Sequence, residues 1–199
     1  MNKVLRTLVL SDLFILSSFG LIQPIFAVFV LKIIPGATVS SVGLAIAIQL
    51  FTKALLQIIV GKWSDEEKGN CRELYTLIIG SLIISVVPLG YIFASSLAAL
   101  YLIQFLYGMG QALSYPSWRV MFTRYTDRNR AGYEWGVYDT VVSFGTAAAA
   151  AIGAYLVEQY SFTHLFVFVA IMSFVGTTFL THIFQQEFSC RIPTHKHSK

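Results

Sequence analysis

Six apolar runs, each long enough to cross a lipid bilayer, divide this chain, and its charged residues gather in the short stretches between them. A spanning helix takes about 20 residues. The runs have cores near Leu8–Leu31, Val39–Val60, Leu74–Ala94, Leu97–Met121, Trp135–Val157 and Phe162–Phe184. Transmembrane strands are half as long and alternate in polarity, so a barrel is excluded. Only 12% of the 199 residues are charged and 56% are hydrophobic, which excludes an ordinary soluble domain. The expectation is an all-α membrane protein, a single domain over residues 1–199 with six transmembrane helices. Short connections separate them: Pro35-Gly36 after the first, Ser95-Ser96 between the third and fourth, and Glu158-Gln159 before the last. The first run is too long for a cleavable signal peptide and has no small-residue cleavage site.

Basic residues set the expected orientation. Lys3 and Arg6 precede the first helix; Lys62, Lys68 and Arg72 lie between the second and third; Arg119, Arg124, Arg128 and Arg130 end the fourth and fill the next loop; Arg191, Lys196 and Lys199 form the tail. All four clusters fall on one side, and only Lys32 flanks the other. The positive-inside rule then places both termini in the cytoplasm of a multi-pass protein of the plasma (cell inner) membrane. The net charge of +4 reflects this topology and anionic lipid headgroups, not nucleic acid. Cys71 and Cys190 fall on the same side, where thiols stay reduced. His195-Lys196-His197 reads as a solvated tail, and His164 and His182 as interface residues; no metal site or cofactor is expected.

The informative residues are those that a lipid-facing helix does not tolerate. Gln49, Lys53 and Gln57 form an i, i+4, i+8 stripe on the second helix, with Lys53 roughly 12 Å inside its cytoplasmic end. Gln104 and Gln111 lie two turns apart on the fourth, and Gln23 stands beside Pro24 in the first. Asp12 and Asp139 lie about one turn into the first and fifth helices. Such groups should face protein or water. The third and sixth helices are nearly free of them, so the first, second, fourth and fifth are read as inner helices. Small residues mark close packing: Gly145, Ala149 and Gly153 on the fifth helix, and Gly43, Ala47, Ala54 and Gly61 on the second.

Four stretches carry a resemblance. Phe19-Gly20-Leu21-Ile22-Gln23-Pro24 is similar to the glycine-containing, proline-ended motif of drug:proton antiporters. Gly61-Lys62-Trp63-Ser64-Asp65 matches the opening of the loop signature Gly-x-x-x-Asp-Arg-x-Gly-Arg-Arg/Lys, although Glu66 replaces its Arg and Gly69 comes one position late. Gln104 to Ala112, with Gly108 and Gly110, follows Arg-x-x-x-Gly-x-Gly-x-Ala, with Gln104 in place of the Arg. Gly145 to Ala154 follows Gly-x-x-x-Gly-Pro-x-x-Gly-Gly, with Ala149, Ala150 and Ala154 replacing Gly, Pro and Gly. Over nearly its whole length the chain resembles the N-terminal six-helix half of the major facilitator superfamily, in particular its drug:proton antiporter-like members. The resemblance implies a half-bundle and a secondary transporter of a small solute. It leaves proton coupling open, because the helix-four Arg is missing.

Asp65 has a physical role in that reading. A carboxylate beside the exposed amides of a neighbouring helix N-terminus forms a latch worth about 1 kcal/mol, and Gly61 permits the close approach. Superfamily members carry two such halves, with the solute between them near the midplane. One half alone would expose polar helix faces to lipid. The economical expectation is a homodimer joined through the second and fifth helices about a two-fold axis along the membrane normal. A different partner chain, or a longer transporter of which this is a truncated half, stays open. Gln23, Gln49, Lys53, Gln57, Gln104 and Gln111 are then the cavity candidates; Asp12, Asp65 and Asp139 the gating or coupling candidates, with Lys53 expected to pair with Asp12 or Asp139 of its own protomer or of the partner. Gly61, Gly108, Gly145, Ala149 and Gly153 are the packing candidates. The competing expectation is a non-transporting membrane interaction module. No intramembrane protease motif, metal-ligand spacing or phosphate loop points to an enzyme.

Overall fold

The computed structural model describes residues 2–65 and 71–187. Its elements are α1 (Lys3–Ile22), a 3-10 turn (Gln23–Ile25), α2 (Phe26–Ile33), α3 (Val39–Asp65), α4 (Cys71–Ile92), α5 (Leu97–Tyr125), α6 (Ala131–Gln159) and α7 (Phe162–Glu187). These make six apolar spans of membrane-crossing length, the first being α1 and α2 together. Among the described residues there are no strands.

Local chemistry sets the boundaries. Pro24 enters the 3-10 turn that interrupts the first span, because its ring removes a backbone donor. Gly36 turns the chain with φ of 73°, a left-handed conformation that glycine adopts without a Cβ clash. Thr38 and Ser41 then cap α3 reciprocally: Ser41 N donates to Thr38 Oγ1 at 3.3 Å and Thr38 N to Ser41 Oγ at 3.2 Å. Ser96 caps α5 by accepting from Ala99 N at 3.2 Å, which fixes the boundary that only two serines mark in the sequence. Asn2 caps α1. Because α1 starts at Lys3 and α6 at Ala131, ahead of the apolar cores at Leu8 and Trp135, Asp12 and Asp139 lie two or more turns inside their helices, not one.

The spans pack in an order unlike their order in the chain. Side by side they run α3, α5, α4, α7, α1, α6, and the row curls so that α1 meets α5 and α2 meets α3. α4 and α7 form the back. α3 and α6 stand at the two ends and bury the least: 17% and 11% of their most apolar stretches, against 50% for the first span.

Two apolar clusters hold the row. One surrounds Phe29, Tyr91 and Phe166, whose rings meet edge-on or tilted. The other, at the end that carries Lys3, surrounds Trp118, Phe122, Trp135 and Tyr138. Buried hydroxyls tie the back together. Ser85 lies 2.8 Å from Ser173 and 3.1 Å from Thr177, joining α4 to α7, and Thr76 lies 2.6 Å from Ser117, joining α4 to α5. The third and sixth spans, read from the sequence as nearly free of polar groups, thus pack through small hydroxyls that bond across the interface and leave no charge in the bilayer.

Basic side chains fasten the Lys3 end. Arg124 Nη2 meets Glu73 Oε1 at 2.9 Å. Arg72 donates from Nη1 to Trp63 O at 2.6 Å and covers the Trp63 ring, joining the start of α4 to the end of α3. Glu134 accepts from Asp127 N at 3.0 Å. Lys68, Cys190, Arg191 and the His195-Lys196-His197 tail lie outside the described residues, as do the side chains of Asp65, Cys71 and His182.

Candidate functional site

A cavity of about 500 Å³ opens on the concave side of the row. Its lining comes from the first, second, fourth and fifth spans, the set that the polar asymmetry of the sequence singles out, with Tyr91 added from the third. Gln23, Gln49, Gln104 and Gln111 all face it, so four of the six cavity candidates come together. Among the described residues, no formally charged side chain is in this lining.

The α3–α5 contact places two of the glutamines. A Cβ at Gly108 would collide with the carbonyl of Gln49 and stand 2.8 Å from Thr52 Cβ, so only glycine permits this approach. The approach lets Gln49 Nε2 donate to Gln111 Oε1 at 2.8 Å. Gln104, two turns earlier on the same face of α5, is 2% exposed. The Tyr91 phenol faces its amide, while its Oε1 has no partner among the described residues. Phe19 stacks on Tyr107 at 4.9 Å with 12° between the ring planes, forming a flat aromatic wall. An amide both donates and accepts, so this lining suits a polar solute bound by several hydrogen bonds against an aromatic surface.

Lys53 and Gln57 do not reach this lining. Lys53 continues the α3 stripe one turn toward the Lys3 end, where its Nζ sits 4.3 Å from the centroid of the Tyr115 ring. The Arg119 guanidinium takes the same ring at 4.5 Å. Within the chain Lys53 therefore faces a tyrosine, not Asp12 or Asp139. Asp12 accepts from Tyr138 Oη at 2.9 Å, joining α1 to α6. Asp139 is exposed. The intrachain form of the expected Lys53–aspartate pair is thus not made, because helical spacing reports which face a residue occupies, not which element stands opposite.

The small residues of α6 are used inside the chain. A Cβ at Gly145 would strike Ser17 Oγ, and one at Gly153 would strike the Leu21 carbonyl, both on α1. Ala149 is 8% exposed between them. Among the described residues, Gly61 on α3 and Gly136 on α6 meet nothing within 4 Å. A larger groove of about 670 Å³ lies between α1, α6 and α7; most of its lining is Leu, Ile, Ala, Phe and Met, with Ser17, Ser18, Tyr160 and His164 as its polar residues, so the smaller cavity with its four amides is the candidate site.

Sequence reasoning missed the tyrosines. Gln104, Tyr107, Gln111 and Tyr115 follow one another at spacings of three, four and four, which is one helix face. That spacing was the available signal.

The model of the Major Facilitator Superfamily matches residues 8–195. Among solved structures, the POT family transporter PepTSo is similar at 19% identity with a TM-score of 0.72, over 93% of this chain and 38% of that one. A peptide transporter POT variant in complex with sulfate is similar at 18% identity with a TM-score of 0.70, again over 93% and 38%. The chain thus spans well under half the length of these structures. No curated protein sequence matches it. Matched from Leu8 to the tail, with six spans in the arrangement of those transporters, the chain belongs to the Major Facilitator Superfamily.

Proposed function

We propose that the chain is one six-helix half of a secondary transporter, which moves a small solute by alternating access as a homodimer. The carrying observation is the cavity, where four glutamines from three spans converge beside Tyr91 and Tyr107 on the uncovered concave face. A second six-helix bundle across that face encloses the solute near the midplane. The termini and basic loops lie in the cytoplasm, as positive charge dictates.

In this dimer α3 of one protomer packs on α6 of the other, twice. Both helices stand at the ends of the row and leave most of their surface uncovered. Gly61 and Gly136 have open space for close approach. Asp65 latches onto the neighbouring α6 N-terminus in one state of the cycle. Asp12, held by Tyr138, and exposed Asp139 stand in the Lys3-end half, where the inner gate closes.

The test is reconstitution of the chain into liposomes with uptake measured against sugars, amino acids, organic acids and cationic drugs. Cysteines at positions 65 and 136 should crosslink between protomers in the same vesicles. Uptake with no such crosslink keeps a transporter built from copies of this chain but overturns its joining through α3 and α6. Absence of both uptake and self-association favours a non-transporting interaction module.

A further inference from the structure

Two cations share one aromatic ring inside the membrane-spanning part of the molecule. Lys53 Nζ and the Arg119 guanidinium lie 4.3 and 4.5 Å from the Tyr115 centroid. Neither has a carboxylate partner among the described residues: Glu73 is taken by Arg124 and Asp12 by Tyr138. Lys53 is half-buried on α3, while Arg119 is exposed on α5. Cations at this depth are strongly disfavoured unless paired or facing water. A ring face compensates only a fraction of one charge, and the two cations repel each other. The arrangement therefore lacks a negative group.

Its position indicates where that group comes from. Lys53 is one turn from Gln49, and Tyr115 one turn from Gln111, both of which line the cavity. A turn rises about 5.4 Å. An anion held by the two cations thus lies within a small molecule's length of the amides. The guanidinium fork matches the two oxygens of a carboxylate or phosphate, and the ammonium adds a point charge.

We infer that Lys53 and Arg119, mounted on Tyr115 one turn beyond the Lys3 end of the glutamine cavity, form an oxyanion site for the carboxylate or phosphate of a solute whose polar remainder occupies the cavity. That the solute is transported rests on the reading above; the binding site rests on this geometry alone. A phospholipid headgroup offers the same oxyanion chemistry, and the experiment separates the two sources.

Full-length protein in phosphatidylcholine nanodiscs is titrated with inorganic phosphate and with succinate at constant ionic strength, reading tryptophan fluorescence and apparent Tm. At least one anion should bind saturably and raise Tm. Lys53→Gln and Arg119→Gln should each weaken binding tenfold or more with the ligand-free Tm unchanged, and Lys62→Gln should not. If either glutamine variant lowers the ligand-free Tm, Lys53→Arg and Arg119→Lys take its place and should retain binding. Undiminished affinity in the double variant overturns the site, as does no saturable binding of either anion. A Tm rise with phosphatidylglycerol nanodiscs alone, lost in the double variant, assigns the pair to a headgroup and overturns the solute reading. Anion binding that needs both residues, in a protein that takes up none of the tested solutes, supports the site and counts against the transporter.

Discussion

Gln49 and Gln111, sixty-two residues apart in the chain, share one 2.8 Å hydrogen bond between α3 and α5. It is made possible by Gly108, which removes the side chain that would otherwise separate the helices. Interhelical hydrogen bonds of this kind contribute on average about 0.6 kcal/mol in membrane proteins. Gln49→Leu, Gln111→Leu and the double change, compared by apparent Tm, should therefore show a small favourable coupling. The larger effect should be on uptake, because each change also removes an amide from the cavity.

The α1–α6 contact gives a sharper contrast. Gly153→Ala places a methyl group against the Leu21 carbonyl and should destabilise by about 1–3 kcal/mol. In the monomeric chain Gly61→Ala enters open space in a helix and should be neutral, or stabilising by up to about 1 kcal/mol. Equal Tm values for the two variants would contradict the packing described here.

Among the described residues, the side-chain donor to Asp12 is the Tyr138 phenol. Tyr138→Phe removes the donor that holds its carboxylate at 2.9 Å and should lower stability by about 1–3 kcal/mol. Asp12→Asn keeps an acceptor in place and should be milder than Asp12→Leu. A thermal-shift series over the three variants checks the order.

Glu73 is 3% exposed on its side chain, and its only described ion pair is with Arg124. Arg124→Ala leaves that carboxylate buried without its counter-charge and should destabilise by about 1–3 kcal/mol, a figure kept low because Arg124 is 41% exposed. Adding Glu73→Gln should recover part of the loss. A double variant less stable than Arg124→Ala alone would show that Glu73 acts through another contact.

The sequence makes the spans and the cavity legible for one reason: a bilayer forbids polar groups on its own side, so Gln23, Gln49, Gln104 and Gln111 announce an inner face. Partners across that face are another matter. Nothing in the spacing of Lys53 says that Tyr115 and not Asp12 stands opposite, because that depends on α5, not α1, being the neighbour of α3. Tyr115 and Arg119 also read as ordinary residues of a membrane helix until both cations are seen on one ring. Small hydroxyls such as Ser85 and Ser173 hide for a different reason. A serine passes as nearly apolar in a hydropathy window, and only packing shows that two of them bond.

The order of the spans within the row bears on how the protein is made. The first span packs chiefly on α6 and α7, which begin only at Ala131 and Phe162. Between the end of α2 at Ile33 and the start of α6 lie close to a hundred residues, which a ribosome adds in roughly 5–20 s. Throughout that interval α1 has entered the membrane ahead of its main neighbours, and the polar edge that carries Ser11, Asp12 and Ser18 awaits them. Insertion of this chain is thus a task with a long unpaired stage, set by the order in which the fold places its spans.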